Sequence, residues 1–97
     1  MEKYALLARL EAKLGKEEEV AAFLKSALPL ALDEPDTVNW YGWQIGASTF
    51  GIFDTFETEE GRKAHLAGRI AAALMANAGA LLSKDPVIEF VELLAVK

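Results

Sequence analysis

From Tyr4 to Lys13 the chain alternates. Tyr4, Leu6, Ala8 and Leu10 fall on one side, and Ala5, Leu7, Arg9 and Glu11 on the other. That period of two predicts a strand with one mostly apolar and one mixed face. Gly15 breaks it, and Glu17, Glu18 and Glu19 then stand where a helix N-terminus favours carboxylates. Val20, Phe23, Leu24, Ala27, Leu28 and Ala31 recur at helical spacing, with Pro29 expected to kink the helix or end its regular part. Asp33-Glu34-Pro35-Asp36 reads as a loop. Thr37 to Ile45 and Thr49 to Glu57 are rich in aromatic and β-branched residues, and the Gly46-Ala47-Ser48 break between them is short enough only for a hairpin. Thr58 suits the N-cap of a helix whose stripe runs through Leu66, Ile70, Leu74, Ala78, Leu81 and Leu82, with Gly68 as a break between two pieces. Lys84-Asp85-Pro86 stops it, and Val87 to Val96 is a last strand.

The order strand, helix, strand, strand, helix, strand is that of a ferredoxin-like βαββαβ domain spanning residues 1–97, an α+β fold whose four-stranded antiparallel sheet carries its helices on one face. Composition adds a second subunit to this picture. Hydrophobic residues make up 53% of the 97, more than a chain of this length readily hides, since it buries only about 60 to 65% of its unfolded surface. Apolar residues on both sides of the strands lead to the same expectation: a homodimer in which a partner's sheet covers the open face.

A net charge of -5 argues against nucleic acid as a partner, and the absence of cysteine removes disulfides and thiolate chemistry. No apolar run reaches membrane-spanning length, and Met1-Glu2-Lys3-Tyr4 does not open a leader, so a cytoplasmic protein without membrane contact is expected. There is no phosphate loop, no paired histidines at metal-ligand spacing and no Gly-x-Ser-x-Gly turn. What remains is Phe53 to Leu66, an aromatic strand bearing Asp54 followed by a helix bearing His65, the only histidine. Histidine alone has an unperturbed pKa near neutrality, which makes this unit the candidate for chemistry.

A two-residue turn at Gly46-Ala47 pairs Trp43 with Phe50, Tyr41 with Ile52 and Asn39 with Asp54 on one face, and puts Trp40 opposite Phe53 on the other. One face would then combine apolar walls with Asn39 and Asp54, the mixture that small-molecule pockets use. Position alone leaves other readings open. The aromatics serve equally as core and interface, Asp54 as a residue near a sheet edge, and His65 as part of its helix's polar side.

Over nearly its whole length the chain resembles the antibiotic biosynthesis monooxygenase family of the dimeric α/β-barrel superfamily, whose close relatives include proteins named quinol monooxygenases. The resemblance rests on the opening strand to Gly15, on Glu34-Pro35-Asp36 before an aromatic strand, and above all on Phe53-Asp54-Thr55-Phe56-Glu57 through Ala64-His65-Leu66. Phe56 replaces a tryptophan usual in the family, and no second histidine follows. Ala8, His65 and Met75 stand where the haem-degrading members differ, which speaks against haem. The resemblance therefore implies oxidation of a quinol-like or polyphenolic aromatic by dioxygen with no cofactor. On the resemblance His65 would be the base, and on the hairpin register Asp54 would be its partner, with Asn39, Tyr41, Trp43, Ile52 and Phe56 around the substrate. The alternative is a non-catalytic dimer that binds a small hydrophobic or aromatic molecule.

Overall fold

A computed structural model describes all residues, Met1–Lys97. Its elements are β1 (Tyr4–Glu11), α1 (Glu17–Leu32), β2 (Thr37–Ile45), β3 (Thr49–Phe56), α2 (Glu59–Leu66), α3 (Arg69–Leu81) and β4 (Val87–Glu92). The strands form one antiparallel sheet in the order β2-β3-β1-β4, the ferredoxin-like arrangement expected. No helix is long and apolar enough to cross a membrane.

One face of the sheet holds the core. Ala8, Leu10 and Ala12 of the β1 segment and Phe50 and Ile52 of β3 pack against Val20, Leu24, Ala27 and Ala31 of α1 and against Ile70, Leu74 and Leu81 of α3. These helix positions recur three, four and seven apart, the stripe that a half-buried helix presents. Thr58 caps α2 by accepting a 3.0 Å hydrogen bond from Gly61 N–H, and Gly68 separates α2 from α3. Helix α1 does not end at Pro29 but continues to Leu32. Pro29 and Lys25 are both exposed, so the carbonyl that loses its intrahelical donor at Pro29 lies on the solvent side, where water replaces the bond.

The hairpin differs from expectation by one residue. Its loop is three residues, Gly46-Ala47-Ser48, with Ile45 paired to Thr49, Trp43 to Gly51, Tyr41 to Phe53, Trp40 to Asp54 and Asn39 to Thr55. Since side chains alternate, this slip inverts the faces of β2 relative to β3. Trp40 now shares the helix side with Asp54, while Asn39, Tyr41 and Trp43 lie on the other. The cause is visible at Gly51, where an added Cβ would stand 2.1 Å from the Trp43 indole and 2.3 Å from the Ala8 carbonyl. The indole lies directly over a glycine, a pairing that no larger residue permits.

Candidate functional site

Asp54 points from β3 into the helix side of the sheet and is 1% exposed. His65, on the inner side of α2 and 8% exposed, brings Nε2 to 2.8 Å from Asp54 Oδ2. Its Nδ1 lies 2.7 Å from Oε1 of Glu34 in the α1–β2 loop. Thr37 Oγ1 donates a 2.7 Å hydrogen bond to the same Glu34 oxygen. Gly68 makes room for this carboxylate, since a Cβ there would meet Glu34 Oε2 at 3.3 Å. The Phe56 ring tilts over the imidazole at a centroid distance of 5.4 Å. A histidine thus sits clamped between two carboxylates brought in by separate elements.

Electrostatics sets the protonation of this clamp. Burial alone would lower the His65 pKa, but Asp54 and then Glu34 outweigh it and raise the value to about 8. The ring is therefore mostly an imidazolium at pH 7, with a hydrogen on each nitrogen. Burial pushes the Asp54 carboxyl above its ordinary value, against the opposing pull of His65. The Asp54–His65 contact is an ion pair outside good hydrogen-bond alignment, and Asp54 Oδ1 has no partner at all.

An apolar cavity of about 30 Å³ meets this pair, walled by Leu6, Ile52, Leu66, Ile70, Leu74 and Ile88 with Asp54 and His65 at its polar end. The volume holds about one water. Outside the clamp, Glu34, Thr37, Asp36 and Arg69 line an open groove of about 340 Å³ that His65 also reaches. No three His, Asp or Glu side chains converge as a metal ligand set, and each nitrogen of His65 already faces a carboxylate.

Of the residues expected at a site, the structure brings together Asp54, His65, Ile52 and Phe56. Asn39, Tyr41 and Trp43 are placed elsewhere: Asn39 Nδ2 donates to Glu2 Oε1, Tyr41 is 55% exposed, and Trp43 lies under the Arg9 guanidinium, 5.8 Å from the ring centroid. The indole on Asp54's face belongs to Trp40, whose Nε1 is buried without a partner. Nor is His65 presented as a neutral base, because its nitrogens are engaged and its charge is held by two carboxylates. The unengaged acceptor is Asp54 Oδ1. Glu34 and Thr37 were not expected as site residues; the signal was the Glu34-Pro35-Asp36 turn, read as a loop and as part of the family resemblance but given no role at the site. Arg62, also buried, is a structural tie: its Nη1 donates to the Ala5 and Val91 carbonyls, and its guanidinium stacks on Tyr4 and Phe90.

No protein-family model and no curated protein matches the chain, whereas solved structures do. NE2512 from Nitrosomonas europaea, a protein of unknown function, is 61% identical with a TM-score of 0.98 over 100% of this chain and 94% of that one. Rv0793 from Mycobacterium tuberculosis gives a TM-score of 0.86 at 14% identity, covering 97% of each chain. A Nitrosomonas europaea protein named as a candidate antibiotic biosynthesis monooxygenase gives 0.83 at 13% identity, covering 95% of this chain and 90% of that one. At such identities the last two show a shared fold and no more.

Proposed function

We propose that this chain, which belongs to the same protein family as NE2512 of Nitrosomonas europaea, oxidises a quinol-like or polyphenolic aromatic with dioxygen and needs no bound cofactor. The observation that carries the reading is Asp54, a buried carboxylate that lines the polar end of an apolar cavity and whose Oδ1 has no partner. Such an atom is costly to bury unless something donates to it. A substrate hydroxyl is a suitable donor: Asp54 takes its proton, and the anion left behind is electron-rich enough to reduce dioxygen. The fold shared with a protein named for antibiotic biosynthesis monooxygenation supports the same reading at the level of architecture.

For a naphthoquinol the balance is one quinol plus one dioxygen giving one hydroxyquinone and one water. One oxygen atom enters the ring, the other leaves as water, and the substrate supplies all four electrons. The His65 imidazolium, 2.8 Å from Asp54, opposes the burial that raises this carboxyl's pKa and so favours its ionised form, and the apolar walls exclude water from the anion. An aromatic ring is larger than the cavity, so binding requires the wall formed by Leu66, Ile70 and Ile88 to part. The open sheet face, with Leu7, Tyr41, Trp43 and Phe53, is where we place a second copy of the chain.

The test is oxygen uptake with a panel of naphthoquinols and anthrones, corrected for autoxidation, alongside an absorption spectrum and elemental analysis of the purified protein. Asp54→Asn is expected to lower turnover by about 10²- to 10⁴-fold, the usual contribution of a positioned acid–base group, while product quinone still binds. A chromophore or metal bound at one per chain contradicts the cofactor-free reading. Binding without uptake in the wild type favours the alternative, a non-catalytic dimer that holds a small aromatic molecule, a reading that the narrow apolar cavity also suits.

A further inference from the structure

His65 joins two compartments. Nε2 faces Asp54 on the side of the apolar cavity, and Nδ1 faces Glu34 on the side of the polar outer groove. We propose that Glu34 is the outer end of a proton relay in which His65, answering the protonation of Asp54, sends its own Nδ1 proton to this groove. The inference rests on the reading of Asp54 as acceptor of the substrate's hydroxyl proton, and it gives Glu34 a role that acts through His65 and not on the substrate.

The geometry is built for passage. Glu34 lies 31 positions from His65 in sequence yet its Oε1 is 2.7 Å from Nδ1. Its side chain is 20% exposed, so it touches the buried ring on one side and water on the other. Thr37 fixes it with a 2.7 Å hydrogen bond, and Gly68 leaves it space. The other charged groups of the groove are Asp33, Asp36 and Arg69, with Arg69 Nη2 3.4 Å from Asp33. Phe56, over the ring, carries no charge.

The protons balance as follows. The substrate O–H bond breaks and an O–H bond forms at Asp54 Oδ1. Once Asp54 is neutral, the inner charge that held the imidazolium is gone. The Nδ1–H bond then breaks, its proton passes to Glu34 Oε1, and the ring stays neutral with its hydrogen on Nε2. Glu34 releases the proton to water in the groove. One proton has entered at Asp54 and one has left outside, and the substrate holds the negative charge. When the second oxygen atom departs as water, Asp54 returns its proton, and His65 regains one from the groove through Glu34.

The single histidine allows a direct test by ¹⁵N NMR of the full chain, reading exchange of the His65 ring hydrogens with water. Glu34→Gln keeps an acceptor for Nδ1–H but cannot take its proton, and is expected to slow exchange by about 10²-fold, the low end of positioned proton-transfer effects. In Glu34→Ala, added formate is expected to occupy the groove and restore the rate. Unchanged exchange in Glu34→Gln overturns the path, as does failure of formate in a folded Glu34→Ala. With a quinol that the wild type oxidises, Glu34→Gln is expected to lower kcat, to shift its pH profile and to leave KM unchanged; an unaltered kcat and profile overturn the path. If the wild type oxidises no member of the panel, the function fails while the exchange measurement still decides the path.

Discussion

The two faces of the sheet draw on the same residue types and use them oppositely. On the helix side, Leu6, Ala8, Phe50 and Ile52 disappear into the core, and the polar residue among them, Asp54, is buried beside His65. On the other side, Trp43 lies over Gly51 beneath Arg9, Leu7 and Phe53 are half-buried, and Tyr41 is exposed, with no helix above them. The first face spends burial on holding a charge. The second leaves apolar and aromatic side chains without a helix to cover them, the kind of surface on which the proposed second copy of the chain would pack. Under the function proposed above, chemistry falls to the helix side and assembly to the open one.

The largest effect that should separate the faces comes from His65→Leu. It leaves the Asp54 carboxylate buried without its counter-charge, and removing one partner of a buried pair costs about 3–5 kcal/mol. Thermal or urea unfolding measures it, and loss below about 1 kcal/mol would mean that the pair is well solvated. On the opposite face, Phe53→Asp is expected to weaken self-association by about 30-fold or more, the scale of an interface hot spot, with the His65 ring signals unchanged. Sedimentation of wild type and variant decides this, and a wild type that stays monomeric at micromolar concentration removes the dimer. Trp40→Asp cannot serve as that probe, since Trp40 lies on the helix side and its loss would act on the core.

Acidity gives a smaller contrast. The folded His65 pKa of about 8 stands above its ordinary 6.5, so the native state binds more protons between those values. Its contribution to stability is complete below pH 6.5 and is lost as pH rises through 8. The shift corresponds to about 2 kcal/mol. Asp54, also raised, acts in the same sense at lower pH. Unfolding midpoints are expected to fall from pH 6 to pH 9 in the wild type, and the fall from 6.5 to 8 is expected to vanish in His65→Leu.

The elements were legible because their signals are local. Alternation marked β1, aromatic and β-branched runs marked β2 and β3, Thr58 its cap and Gly68 its break. The faces of β2 were not, because they hang on whether Ser48 belongs to the loop or to the strand, and one residue inverts every side chain. Gly51 carried the missing information, but only once Trp43 is known to lie across from it. Asp54 and His65 were recognisable as a pair within one strand-turn-helix unit. Glu34 was not, since packing of the α1–β2 loop against α2, and no local pattern, brings it to the ring.

A crystal structure of the complex with a hydroxynaphthoquinone product tests the assignment of chemistry to the helix side most directly. The expected result is a ligand between the sheet and α2–α3, a hydroxyl within hydrogen-bond distance of Asp54 Oδ1, Leu66 and Ile70 displaced around it, and His65 still bound to both carboxylates. A ligand lying on Trp43 and Phe53 of the open face, with the Asp54 cavity unchanged, would contradict the account.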